Sequence, residues 1–198
     1  MVNRSDFISS FVRVSRSMWT VEKRETLARI AVHERQFENW WKFELATSLW
    51  EMATPINAKV LVETYQRADI AIAYTKKTTC NDCAPDPSSN LCVPIELKTT
   101  GTWWPTPGKA LEENNQNRLR TDLENISGGG LIAKPCGIVG LLLTDSKGDQ
   151  IAIEKFSSHA KKLGDSFGLE LIESSTIDLP LLYNSNHPKA IQLFWASN

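Results

Sequence analysis

The chain has no long apolar run. Its longest, Ile138 to Leu143, is six residues and includes a glycine, far short of the roughly 20 that carry a helix across a bilayer. A membrane-spanning helix is therefore excluded from the reading. An excess of either charge is missing too: 22 Lys plus Arg against 23 Asp plus Glu leave a net charge of −1. That excludes attachment to nucleic acid or to a membrane by bulk positive charge, and leaves a local basic groove open. Repeats, low-complexity tracts and linkers are absent. The opening MVNRSDFISS has no apolar stretch after its first basic residue, so no secretory leader is expected and a cytoplasmic location is the default. His33, His159 and His187 show no paired metal-ligand spacing.

What remains is the composition of a globular domain. With 198 residues, 41% hydrophobic, the chain is long enough for one sizeable core and too short for two comfortable ones, so 1–198 is expected to be a single domain. Charge is unevenly spread. Residues 1–43 carry 8 basic and 5 acidic side chains, residues 44–99 carry 5 and 7, and residues 100–198 carry 9 and 11. Of the four cysteines, Cys80, Cys83 and Cys92 cluster as C-x2-C-x8-C in a Pro/Ser/Asn/Asp-rich stretch that reads as a loop, and Cys136 stands apart. In a reducing compartment such a pair is more often a metal or redox element than a disulfide. Structural Zn2+ at Cys80, Cys83 and Cys92, a disulfide and free thiols all stay open; zinc with four thiolates would need Cys136 nearby.

Along the chain, residues 20–53 read as helix in two pieces. Phe37, Trp40, Trp41, Phe43, Leu45, Leu49 and Trp50 are too many for one narrow stripe, so the second piece is expected to be buried on more than one side. β-type runs follow at Lys59–Tyr65 and Arg67–Tyr74, then Leu91–Thr99 beyond the Cys-bearing insertion at 76–91. The Gly/Trp/Pro loop Gly101–Gly108 leads to a charged helix, roughly Lys109 to Ile126, which Gly128-Gly-Gly130 stops. Gly137–Thr144 is almost purely apolar, as a buried central strand should be. A turn at Asp145–Gly148 then leads to a further extended run, Ile151–Phe156, a short helix, and minor strands at Leu169–Glu173 and Ala190–Trp195. The order is α-β-β-β-α-β with N-terminal helical and C-terminal extensions. The expected fold is α/β, a mixed central sheet flanked by helices.

Alternate side chains of a strand share a face. Asp69 therefore sides with Ala71 and Ala73, and Glu96 with Lys98. If the two runs pair, Asp69, Glu96 and Lys98 converge at one end of the sheet. Two carboxylates and an ammonium on apolar strands are costly to bury; they make sense when the acids hold a divalent cation and the lysine faces an anion. The acid-x-Lys triplet by itself is weak: 23 acids and 13 lysines in 198 positions supply about 1.5 by chance. Two occur, and setting separates them. Asp145-Ser-Lys147 reads as solvated turn chemistry, whereas Glu96-Leu-Lys98 closes a β-run that follows an acid-bearing β-run.

This arrangement, an acid on one strand and E-x-K on the next, after an acid-bearing helix and before a helix and strand, resembles the PD-(D/E)xK nuclease superfamily with its restriction-endonuclease-like fold. The resemblance covers about residues 34–145. Asp69 matches the first acid, with Ala68 where the motif name has Pro. Glu96 and Lys98 match the second half. The 26 residues between Asp69 and Glu96 exceed the usual gap, and the Cys-bearing insertion accounts for them.

The resemblance implies a metal-dependent endonuclease, most simply acting on DNA, with RNA open as a substrate. Asp69 and Glu96 would bind Mg2+ or Mn2+, with the Leu97 carbonyl as a further oxygen, and Lys98 would orient the attacking water. Members often carry a Glu on the first helix. Glu44, between Phe43 and Leu45, is taken as that acid, ahead of Glu38 and Glu34; the plainer alternative puts Glu44 on a solvated face with Thr47, Ser48 and Glu51. Glu63 reads as a strand-edge acid near Arg67. Substrate contacts are expected from Lys109, Arg118 and Arg120 after the catalytic loop, with the N-terminal set Arg13, Arg16, Lys23, Arg24, Arg29 and Arg35 as a second candidate track. Trp103 and Trp104 could stack on unpaired bases or pin their loop. Relatives often dimerise to cut two strands, which keeps a homodimer in view. The competing classes are a non-catalytic nucleic-acid- or protein-binding module that retains the fold, and a zinc-stabilised interaction domain.

Overall fold

A computed structural model describes residues 4–32, 37–53, 58–63, 68–74, 92–101, 120, 137–145, 149–181 and 188–197. Among these are four helices, α1 (Arg4–Ser17), α2 (Val21–Val32), α3 (Glu38–Ala53) and α4 (Gln150–Ser166). The six strands are β1 (Ala58–Val62), β2 (Ile70–Tyr74), β3 (Cys92–Gly101), β4 (Ile138–Asp145), β5 (Glu170–Asp178) and β6 (Lys189–Ala196). They form one sheet in the order β1-β2-β3-β4-β6-β5. Every neighbouring pair is antiparallel except β3 and β4, which run parallel from Ile95↔Ile138 to Gly101↔Thr144. The fold is therefore mixed α/β around a mostly antiparallel sheet.

The period-2 pattern of β4 sorts its side chains between two cores. Ile138 and Leu142 join the larger one, with Ile70, Ile72, Ile95 and Leu97 from the sheet and Phe11, Leu27, Trp41, Leu45 and Leu49 from α1–α3. Val139, Leu141 and Leu143 join the other, with Leu193 and Trp195 of β6 and Ile153 and Ala160 of α4. All eight residues of β4 are buried, as its apolar sequence foretold. The N-terminal helix is integral to the larger core: the Phe11 ring meets Phe194 edge-on at 4.9 Å, and Trp41 lies 5.8 Å from the same ring. This cluster needs Gly140. A Cβ there would come within 2.8 Å of Leu97 Cδ2 and closer still to the Phe194 ring.

Two expectations for the C-terminal half are corrected. Ile151–Phe156 is the start of α4, a helix of 17 residues. Asp149 caps it, its Oδ1 accepting the Ala152 N–H at 3.0 Å. The apolar stripe joins buried Ile153 and Ala160 with partly buried Phe156 and Leu163 at helical spacing, and Ile151, which suggested strand alternation, is exposed. Asp145, read as a solvated turn acid, is buried. Its Oδ2 accepts the Asp149 N–H, so it ties the end of β4 to the start of α4. The expected helix near Lys109–Ile126 lies outside the described residues except Arg120, which is helical.

Candidate active site

The site forms where β2 parts from β3. Their ladder runs from Ala73↔Cys92 to Ile70↔Ile95 and ends there, while β3 continues to Gly101. One further step of the same register brings Asp69 level with Glu96. In an extended strand, alternate residues present N–H and C=O to the same edge, so Leu97 and Thr99 face the edge that β2 has left. Two carboxylates take up those N–H groups. Asp69 Oδ2 accepts from Leu97 N at 2.8 Å, and Glu38 Oε2 accepts from Thr99 N at 3.4 Å. Glu38 opens α3, where the positive end of the helix dipole favours an acid.

Ile95 and Leu97 are buried against α1–α3, so Glu96 and Lys98 leave β3 on the opposite face, the face of Ala71 and Ala73. Lys98 then turns round the open edge, and its Nζ lies 3.8 Å from Glu38 Oε1. Glu96 and Lys98 are both half-buried. The register thus sets Asp69 level with Glu96, and the N–H of Leu97, between Glu96 and Lys98, is bound to the Asp69 carboxylate.

The acid that α3 sends to this edge is Glu38. Glu44 lies six residues later, about 240° around the helix, and its carboxylate pairs with Lys23 of α2 at 2.8 Å. Large apolar residues lie on more than one side of α3, so the sequence does not single out the inner face by which to choose between them. Glu63 sits just past β1 and pairs with Lys42.

Lys42 is the residue that sequence reasoning passed over. It is four residues after Glu38 on α3 and only 4% exposed. Its Nζ lies 2.8 Å from Asp69 Oδ1 and 2.7 Å from Glu63 Oε1. Burial works against its charge, but the hydrogen bonds and fields of Asp69 and Glu63 outweigh that and hold the ammonium above the usual lysine range. The available signal was its position between Trp41 and Phe43, the same argument that drew attention to Glu44.

Other expected residues fall elsewhere. Arg120 is exposed, with its guanidinium carbon 5.9 Å from the Phe167 ring at the end of α4. Within the N-terminal basic set, Arg16 binds the buried Glu173 at 2.6 Å and Lys23 is held by Glu44. Cys92 begins β3 opposite Ala73. Trp103, Trp104, Lys109, Arg118, Cys80, Cys83 and Cys136 lie outside the described residues.

Among the described residues no three Asp, Glu, His or Cys side chains form a cage for a metal ion. Mg2+ does not need one: it is commonly held by one or two carboxylates, with water and substrate phosphate completing its shell. Asp69, the neighbouring Glu96 and the Leu97 carbonyl on the same edge are hard oxygen donors of that kind. Among the described residues each Asp69 oxygen has one partner, which leaves it a second lone pair. The donor chemistry suits a hard divalent cation, and the Lys42 ammonium lies on the same carboxylate, 2.8 Å from Asp69 Oδ1. No protein-family model, curated protein or solved structure matches the chain. Among the described residues no helix is long and apolar enough to cross a membrane.

Proposed function

We propose that this chain is a metal-dependent nuclease that hydrolyses phosphodiester bonds in DNA, built on the restriction-endonuclease-like plan of the PD-(D/E)xK superfamily. The succession α3-β1-β2-β3 followed by a parallel β4 supports the reading. The observation that carries it is the Asp69 carboxylate on the Leu97 N–H, level with Glu96 and one residue before Lys98, where, among the described residues, β3 runs on past its ladder with β2. Mg2+ or Mn2+ held by Asp69, Glu96 and the Leu97 carbonyl would lower the pKa of a water and neutralise charge on the phosphate. Lys98 has its ammonium at the open edge, where it can donate to the attacking water or to a phosphate oxygen. Glu38 fixes the tip of Lys98, and Lys42 fixes the carboxylate of Asp69. Trp103, Trp104, Lys109, Arg118 and Arg120 are the proposed substrate contacts, and cleavage of both strands in one encounter would call for a homodimer.

The test is purified protein with Mg2+ or Mn2+ on plasmid, linear duplex, single-stranded DNA and RNA. Cleavage that Lys98→Ala and Glu96→Ala reduce at least 100-fold is expected. Intact substrates throughout would end the reading. A second reading, a binding module that retains the nuclease plan without catalysis, is favoured by one observation: Lys42 and Leu97 already give each Asp69 oxygen a partner. Calorimetric titration with Mn2+ separates the two, since a scaffold has no heat that depends on Asp69.

A further inference from the structure

We propose that Lys42 is a resident cation of the site, competing with a divalent metal for Asp69. The inference takes its metal from the nuclease reading, and its force from a charge arrangement that stands whether or not the chain is catalytic.

Lys42 enters from α3, on the buried side of that helix with Trp41 and Leu45. Its side chain is 5% exposed, against 14% for Asp69 and 63% for Glu63. Two carboxylates grip the ammonium, and both belong to the connection between β1 and β2. The two ends of that connection are tied to each other: Glu63 N donates to the Asp69 carbonyl at 3.1 Å, and Glu63 itself takes φ 55, a left-handed conformation that a residue with a side chain seldom adopts. The chain thus accepts backbone strain at the residue that pairs with Lys42. The ammonium is held in one place, with little water to screen it.

An ion bound to the remaining lone pairs of Asp69 would share one carboxylate with this ammonium. Like charges on one carboxylate repel, and they do so more strongly as solvent is withdrawn. Asp69 is therefore already neutralised in the metal-free protein, and a dication binds against that charge. Glu63 acts through Lys42. Sharing the ammonium, it draws part of the positive charge off Asp69; without it, Lys42 belongs to Asp69 alone.

The experiment is calorimetric titration with Mn2+ of the full chain, wild type, Lys42→Met, Glu63→Gln and the double variant, with circular dichroism to establish folding. Lys42→Met is expected to bind Mn2+ at least tenfold more tightly than wild type, and Glu63→Gln at least threefold more weakly. In the Lys42→Met background the Glu63→Gln effect should fall below twofold. Lys42→Met binding no more tightly than wild type overturns the proposal, as does a Glu63→Gln effect of equal size in both backgrounds. If Lys42→Met does not fold, the largely exposed Glu63→Gln decides: weaker binding supports the proposal, and unchanged or tighter binding overturns it. Affinities in the expected order with no nucleic acid cut would overturn the nuclease reading and leave this inference standing. Cleavage by the wild type with Mn2+ affinity indifferent to Lys42 would do the reverse.

Discussion

Replacing Glu38 or Glu44 by glutamine removes one charge from the same helix and keeps the shape of the side chain. The two positions are about 9 Å apart along the axis and about 240° apart around it. Glu44→Gln breaks the pair with Lys23, whose side chains are 23% and 28% exposed. Solvent-screened pairs of this kind contribute about 0.2–1 kcal/mol. At roughly 2–4 °C per kcal/mol for a chain of this size, Tm should fall by less than about 4 °C. Glu38→Gln loses a 3.8 Å ion pair, but its amide oxygen can still accept the Thr99 N–H, now 3.4 Å away. Its cost in stability is similarly small. Stability therefore cannot explain more than a few-fold change in rate for either variant. Activity should separate them. Lys98 loses a carboxylate that holds its tip, and a displacement of about 1 Å in a reacting group costs on the order of 100-fold. Glu38→Gln is expected to lower kcat for plasmid cleavage at saturating Mn2+ by about 10- to 100-fold, with Glu44→Gln staying close to wild type. Glu44→Gln as damaging as Glu38→Gln, at equal Tm, would refute the placement of the helix acid.

Asp69 has two jobs that graded substitutions separate. Asp69→Ala removes the acceptor of the Leu97 N–H and leaves buried Lys42 with the more exposed Glu63, so about 2–4 kcal/mol of stability should go. Asp69→Asn keeps an acceptor and should melt higher than Asp69→Ala, with both inactive; equal melting temperatures would count against the backbone role. Gly140→Ala places a methyl against Leu97 and Phe194, which should cost about 1–3 kcal/mol by overpacking, and an unchanged melting curve would contradict the packing. Chelation with EDTA should stop cleavage and leave the far-UV circular dichroism intact, because the two cores are apolar and need no metal. Loss of helix signal on chelation would point instead to structural zinc at Cys80, Cys83 and Cys92. Glu173→Gln should release Arg16 of α1 from β5. Since Glu173 is buried with one oxygen lacking a partner among the described residues, the cost should be under about 2 kcal/mol, and a larger loss would mean the pair anchors α1.

Much of the sheet was legible because its signals are local. β1, β2, β3 and β4 each announce themselves by a short β-branched or apolar run, and strand alternation alone put Glu96 with Lys98 and Asp69 with Ala71 and Ala73, although β2 itself begins one residue after Asp69. The helix face was not legible. α3 carries large apolar residues on more than one side, so periodicity did not single out its inner face; Phe43 and Trp50 turn out exposed at 59% and 57% while Lys42 is buried. A charge can be buried there only because Glu63 and Asp69 arrive from a hairpin 21 and 27 positions further along the chain, and nothing near Lys42 in the sequence encodes that meeting. The same holds for Asp145, whose role as a tie between β4 and α4 depends on a backbone N–H that composition does not reveal. Local pattern determined the strands and the donors they carry. Tertiary structure decided which carboxylate and which ammonium reach the edge of β3, because those choices depend on where distant segments leave a backbone edge unpaired.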